Sequence, residues 1–171
     1  MAGSLIKVSG NTITGSPGSV TLTGIDDNSI YLLTINNLLQ SVGTQVVYRF
    51  TESGTDYTGA IYGKSGRKVN SAGTVSNAGD AATIAWMYLD NTQSSTVGYN
   101  AQYYICNANN SSMETSIIGR HINGGGSYEK MTGNGVLKRN SAVDGISVLA
   151  FSGTPGGGTF TSGEINLYKI K

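Results

Sequence analysis

Short segments in which apolar and polar residues alternate recur along the whole chain, one every eight to fifteen residues, and this repetition points to a β-sheet protein. Alternation with period two puts successive side chains on opposite faces of a strand, so each segment can bury one face and wet the other. Residues 19–23 (SVTLT) and 45–51 (QVVYRFT) alternate cleanly, the second with Val46, Tyr48 and Phe50 on one side. The closing run 160–171 (FTSGEINLYKIK) opens its alternation at Gly163 and sets Ile165 and Leu167 against Glu164, Asn166 and Lys169. A strand of this kind is expected to pair within a sheet, because a free apolar strand end frays or aggregates. Residues 29–36 (SIYLLTIN) are apolar on both faces and predict a central strand. Further strands are expected at 4–8, 57–64, 83–89, 99–107, 113–122, 128–138 and 145–151, with a hairpin or loop at 153–158 around Pro155. No ten-residue window has a helical period. The expected fold is all-β, a two-sheet antiparallel sandwich that is jelly-roll-like.

The 25 glycines and 2 prolines, amid much Ser, Thr and Asn, raise the prospect of low complexity, but 10 tyrosines and strand-spaced Ile, Val and Leu argue for a turn-rich folded chain. At 171 residues one domain, 1–171, is long enough to bury a core. Two segments stand outside the pattern. One is a short N-terminal arm, 1–7, where Met1-Ala2-Gly3-Ser4 precedes Leu5-Ile6, which either lies against a neighbouring chain or pairs as an edge strand of its own sheet. The other is a long loop, 65–82 (SGRKVNSAGTVSNAGDAA), without clear periodicity. Charged residues make up 12% and the net charge is +1, a balance with no electrostatic footprint for nucleic acid or an anionic membrane. No segment approaches a membrane span, and residues 1–9 lack the basic start and apolar stretch of an export signal. The expectation is a chain made in a cytoplasm and not exported by the general route.

Chemistry-bearing motifs are thin. Gly63-Lys64-Ser65 ends like a phosphate-binding loop, yet the position six before the Lys holds Thr58 where a Gly is required, and no helix is expected to follow. Cys106 is the single cysteine, which excludes an intramolecular disulfide, and the run Tyr103-Tyr104-Ile105-Cys106 predicts it in a core. His121 is the single histidine, expected at the surface or partly buried, so no His-rich or Cys-rich zinc set exists; a Cys106–His121 dyad is conceivable but both lie mid-strand. The acids are scattered and mostly in turns, which does not suggest the paired carboxyls of glycoside hydrolysis. Asp26-Asp27-Asn28 lacks the spaced oxygens of a calcium loop but offers two carboxylates to a cation. Trp86 and Tyr88, with Tyr99, Tyr103 and Tyr104, offer material for a sugar-stacking face. However, Ile84, Trp86 and Tyr88 alternate with Ala85, Met87 and Leu89, so both faces are apolar and a buried or interface strand is expected.

Three longer passages carry a family likeness. In SVTLTGIDDNSIYLLTINNL (19–38) an alternating strand and a GI-D turn lead into a Tyr-bearing strand ending in Asn. VVYRFTESGTDYTGAIY (46–62) runs from an Arg-bearing strand through a Ser/Gly turn to a Tyr strand, and GISVLAFSGTPGGGTFTSGEINLYKIK (145–171) joins two strands by a Gly-rich hairpin. The chain resembles, over most of its length, the jelly-roll modules of bacteriophage virions, found in capsid decoration (cement) proteins and in tail or neck fibre proteins. The resemblance implies an inert virion structural protein, not an enzyme, with no cofactor and no metal, often a homotrimer. Its partner would be the major capsid protein, and it would reach the virion by assembly in the host cytoplasm. No collagen-like or coiled-coil shaft accompanies the domain, which favours a compact decoration protein that docks directly and bridges capsid subunits. The candidate capsid or subunit contacts are Leu5 and Ile6 in the arm, and Lys64, Arg67 and Lys68 beside the long loop. The alternative is a host-attachment domain of a tail or neck fibre that binds surface polysaccharide through Tyr, Asn and loop glycines.

Overall fold

A computed structural model describes residues 3–41, 45–59, 61–69, 72–85, 87–88, 97–123 and 129–171, and among them there are fourteen strands and no helix. In chain order these are β1 (Leu5–Thr12), β2 (Ser19–Thr23), β3 (Tyr31–Gln40), β4 (Gln45–Glu52), β5 (Thr55–Asp56), β6 (Tyr62–Val69) and β7 (Val75–Ile84). They continue as β8 (Met87–Tyr88), β9 (Tyr99–Cys106), β10 (Asn109–Asn123), β11 (Glu129–Ala142), β12 (Gly145–Ser152), β13 (Thr154–Pro155) and β14 (Phe160–Ile170).

Eight strands make one antiparallel sheet in the order β1-β14-β3-β9-β10-β11-β6-β7. The smaller sheet is built around β12, with β4 along one side, β2 and β13 along the other, and the short β5 and β8 against β4. The chain changes sheet from β1 to β2, β2 to β3, β3 to β4, β5 to β6, β7 to β8, β8 to β9, β11 to β12 and β13 to β14. The result is the expected all-β, two-sheet antiparallel sandwich, with a chain that crosses repeatedly between the layers. Gly163 has φ 125 where the pairing of β14 with β3 shifts register, and a Cβ there would lie 2.6 Å from Leu38 Cα, so a residue without one is required.

One expectation is corrected and one is narrowed. Residues 65–82 are not a loop: β6 and β7 pair across them, with Ser65 opposite Gly79, Arg67 opposite Asn77 and Val69 opposite Val75. Neither face of that hairpin is apolar, so it has no hydrophobic period to read, and its order comes from the backbone ladder of β6 on β11. Of the two readings of 1–7, contact arm and edge strand, the fold has the edge strand. From Leu5 onward it is an edge strand, with Leu5 opposite Ile170 and Ile6 opposite Lys169, while Ser4 N donates to Lys171 O at 3.1 Å.

The core lies between the sheets, where Tyr31, Leu33, Ile35, Ile105, Ile165 and Leu167 of the large sheet meet Tyr48, Phe50, Ile146 and Val148 of the small one, all fully or almost fully buried. A polar thread crosses it: Tyr48 Oη and Tyr99 Oη lie 2.8 Å apart, Tyr99 Oη and Tyr103 Oη 2.9 Å, and Tyr103 Oη and His121 Nδ1 2.7 Å. A buried hydroxyl without a partner costs folding free energy, and this chain of bonds supplies the partners. Burial pushes the Tyr99 hydroxyl well above its ordinary pKa, which keeps it protonated as a donor.

Candidate functional site

The outward face of the large sheet is the molecule's most distinctive surface, and strand register sets its layout. One cross-strand row runs Thr34, Gln102, Arg120, Thr132, Arg67 over β3, β9, β10, β11 and β6. The row beside it runs Tyr168, Leu32, Tyr104, Ile118, Asn134, Ser65. Alternation turns these side chains away from the core because their strand neighbours Leu33, Ile35, Tyr103, Ile117 and His121 point into it. Tyr104 and Ile118 are each about half exposed, at 48% and 49%, and Ile122 beyond them is 54% exposed.

The face is hollowed rather than flat. A depression of about 410 Å³ is bordered by Gln102, Tyr104, Ile118, Arg120 and Thr132. A second, of about 400 Å³, shares Gln102 and Arg120 and reaches Asn36, Asn100 and Ile122. A third, of about 290 Å³, shares Ile118 and reaches Ser65, Ser116 and Asn134, with Lys64 and Lys138 also on its border. Together they form one trough across five strands. Asn100 at one end is fixed, its Oδ1 accepting from Asn37 N at 2.9 Å and its Nδ2 donating to Gly98 O at 3.1 Å. At the other end Ser65 Oγ donates to Asn134 Oδ1 at 2.5 Å. In the middle, the side chains of Gln102, Arg120, Thr132 and Arg67 make no hydrogen bond or ion pair among the described residues.

The structure separates the contact residues expected from the sequence. Leu5 (55% exposed) and Ile6 lie on β1, at one edge of the large sheet, and Lys64, Arg67 and Lys68 lie on β6, next to the other edge. The basic run is not one patch either. Strand alternation sends Arg67, opposite Thr132, to the outward face, and Lys64 and Lys68, opposite Gly135 and Met131, to the other. Gly63-Lys64-Ser65 sits inside β6, with no helix end to aim donors at a phosphate.

The remaining candidates resolve into structural roles. His121 is buried, not at the surface, and is bonded to Tyr103. Cys106 is only partly buried, not a core thiol, and lies opposite Ser116 on the outward phase of β9. The two are roughly 17 Å apart along the sheet and on opposite faces, so they form no dyad. Tyr99 and Tyr103 are core residues, and of the three β9 tyrosines Tyr104 alone faces out. Trp86 lies outside the described residues. Asp26 and Asp27 hold a cation of the protein's own: Lys169 Nζ is 2.9 Å from Asp26 Oδ1 and 2.5 Å from Asp27 Oδ2, and Tyr31 Oη donates to Asp26 at 2.8 Å. Both carboxyls are held below the usual carboxylate range, first by the Lys169 ammonium, and the ammonium is raised by the carboxylates. Elsewhere Glu52 accepts from Tyr57, Asp56 from Ser147, and Asp144 from Thr51 and Gly54 N. Among the described residues no cluster of three His, Cys, Asp or Glu side chains is placed to share a metal ion.

Sequence reasoning passed over Arg120 and Gln102. Their signal was present in Ile118-Gly119-Arg120-His121-Ile122, where the arginine marks which phase of β10 faces water. Comparison of the chain with protein-family models, with curated proteins and with solved structures yields no match.

Proposed function

We propose that this protein is a bacteriophage virion structural protein, a capsid decoration or cement protein that bridges neighbouring capsid subunits, acting as a homotrimer and without catalysis. The observation that supports this reading is the placement of two open sheet edges. β1 ends the large sheet on one side and β7 on the other, seven strand spacings or roughly 34 Å apart measured along the sheet. Among the described residues neither edge has a further strand partner, so each presents backbone donors and acceptors, the natural docking element for a strand of another chain. The β1 edge adds exposed Leu5 and Ile6, and the β7 edge is backed by Lys64 and Lys68 on β6. A rigid plate with a contact at either end can touch two subunits at once. Each copy then raises the free energy needed to separate them.

The test is reconstitution. Particles assembled without this protein are incubated with it and imaged, and their rupture temperature is measured. Saturable density on the head and a raised rupture temperature are expected. The variants Leu5→Lys with Ile6→Lys, and Lys64→Glu with Lys68→Glu, change exposed or partly exposed positions and are expected to keep a wild-type circular dichroism spectrum while each loses occupancy. Density on the tail or neck, or full occupancy by the variant carrying all four changes, would overturn the reading.

A further inference from the structure

We infer that the trough on the outward face of the large sheet binds an acidic polysaccharide, one bearing carboxylates along a hydroxyl-rich chain. The inference concerns a different surface from the two edges and does not depend on where in a virion the protein sits.

Three features of the trough carry it. The first is charge. Arg120 and Arg67 flank Thr132 in one cross-strand row, two strand spacings apart, which sets their backbones about 10 Å from each other. Both are exposed and neither is paired among the described residues. Two unneutralised guanidinium groups on one ladder repel each other, and a planar fork is suited to a carboxylate held by two hydrogen bonds. Along β10 the nearest acid is Glu114, roughly 20 Å from Arg120, and on the same face Glu164 already faces Lys7 at 3.9 Å.

The second feature is the rest of the lining. Gln102, Asn36, Asn134, Thr34, Thr132 and Ser65 are amides and hydroxyls, each able to donate and to accept, which is what a ligand made of hydroxyl groups demands. The third is Tyr104, whose exposed ring gives an apolar surface with a polar tip, beside Ile118. A sugar ring likewise has an apolar C–H face and a polar rim. A long open trough, rather than a closed pocket, fits a chain and not a single small molecule.

Other occupants fit less well. A second copy of this chain docked face to face would bring the same two arginines, with only the distant Glu114 and the Lys7-paired Glu164 as carboxylates to meet them among the described residues. A nucleic acid calls for a denser row of cations than Arg120 and Arg67 in the middle of the trough with Lys64 and Lys138 at one end, and the net charge of the whole chain is only +1.

Affinity electrophoresis of the full chain tests the inference, with gels containing polygalacturonate, neutral dextran, dextran sulfate or single-stranded DNA. Retardation by polygalacturonate, weakened by salt, and none by dextran, is expected. Arg120→Ala and Thr132→Asp, the second placing a carboxylate between the arginines, should each weaken it by about tenfold or more. Lys171→Ala, which removes a charge at the chain end, should leave it unchanged. All three positions are exposed, and unchanged thermal unfolding of each variant excludes misfolding as the cause. No retardation by polygalacturonate, or retardation that survives Arg120→Ala, would overturn the inference. Equal retardation by dextran sulfate or DNA would also overturn it, because the face would then be a generic polyanion surface. Occupancy of phage particles is a separate readout, so this site can fail while the bridging function stands, and the reverse.

Discussion

The two outward faces of the sandwich have opposite fates. On the small sheet the outward phase of β4 and β12 carries Val47, Thr51, Ser147 and Leu149, all buried, although they point away from the core between the sheets. The segments bearing Asp56 and Ala85 close over this side: Ser147 Oγ donates to Asp56 at 2.5 Å, Arg49 Nε donates to Ala85 O at 3.0 Å, and Arg49 lies 3.8 Å from Asp56. On the large sheet the equivalent phase holds Tyr104, Ile118 and Arg120, and it is open. A sheet buried on both faces works as a foundation, and a sheet buried on one can lend the other to a partner. The fold thus separates stability from recognition into two layers.

A carboxylate placed on each face should show that contrast most visibly. Val47→Asp buries a charge without a partner and is expected to cost about 3–5 kcal/mol or to prevent folding, whereas Ile118→Asp on the open face should stay within about 0.5–1 kcal/mol of wild type. Urea denaturation of the two variants provides the measurement. Similar midpoints would mean that the small sheet is not covered as described.

Adjacent tyrosines give a finer version of the same contrast. Tyr103 and Tyr104 are neighbours on β9, one bonded within the core thread and one on the open face. Tyr103→Phe removes the bonds to Tyr99 and His121 and should cost about 1–3 kcal/mol, while Tyr104→Phe should leave stability near wild type. If the two losses are equal, the thread contributes no more than a surface hydroxyl.

How far this layout could be read from the residues depends on the segment. The strands of the small sheet were legible because SVTLT and QVVYRFT alternate, and β2 and β4 appear almost where the alternation puts them. The β6–β7 hairpin was not, since Ser, Gly, Lys and Asn on both phases give no apolar period, and its order depends on the ladder offered by β11. His121 and Cys106 exchanged their expected places for a related reason. Around β10 both phases hold isoleucine, so hydrophobicity alone does not choose between them, and the buried histidine is explained by its bond to Tyr103 on the neighbouring strand β9. The trough was illegible in the same way, because Arg120 and Arg67 become neighbours only through the order β10-β11-β6.

The smallest expected effect concerns the ion pairs at the margins of the two sheets. Arg49 and Asp56 belong to the covered side, with side chains 14% and 26% exposed, whereas Lys169 meets Asp26 and Asp27 that are 70% and 49% exposed. The Lys169 cluster holds both carboxyls below their ordinary value of 3.8 and the ammonium above its ordinary 10.5. Carboxylates lowered by folding stabilise above pH 3.8, and that contribution fades as pH falls through their folded values. An ammonium raised by folding stabilises below pH 10.5, and that contribution fades as pH rises toward its folded value. The stability gap between wild type and Lys169→Met should therefore be level between those limits and shrink on both sides, as measured by urea midpoints across pH. Because the carboxylates stand in solvent, the gap should be small and should narrow further in high salt, while the gap for Arg49→Met should change less with salt. Equal salt sensitivity of the two would show that the covered margin is as wet as the open one.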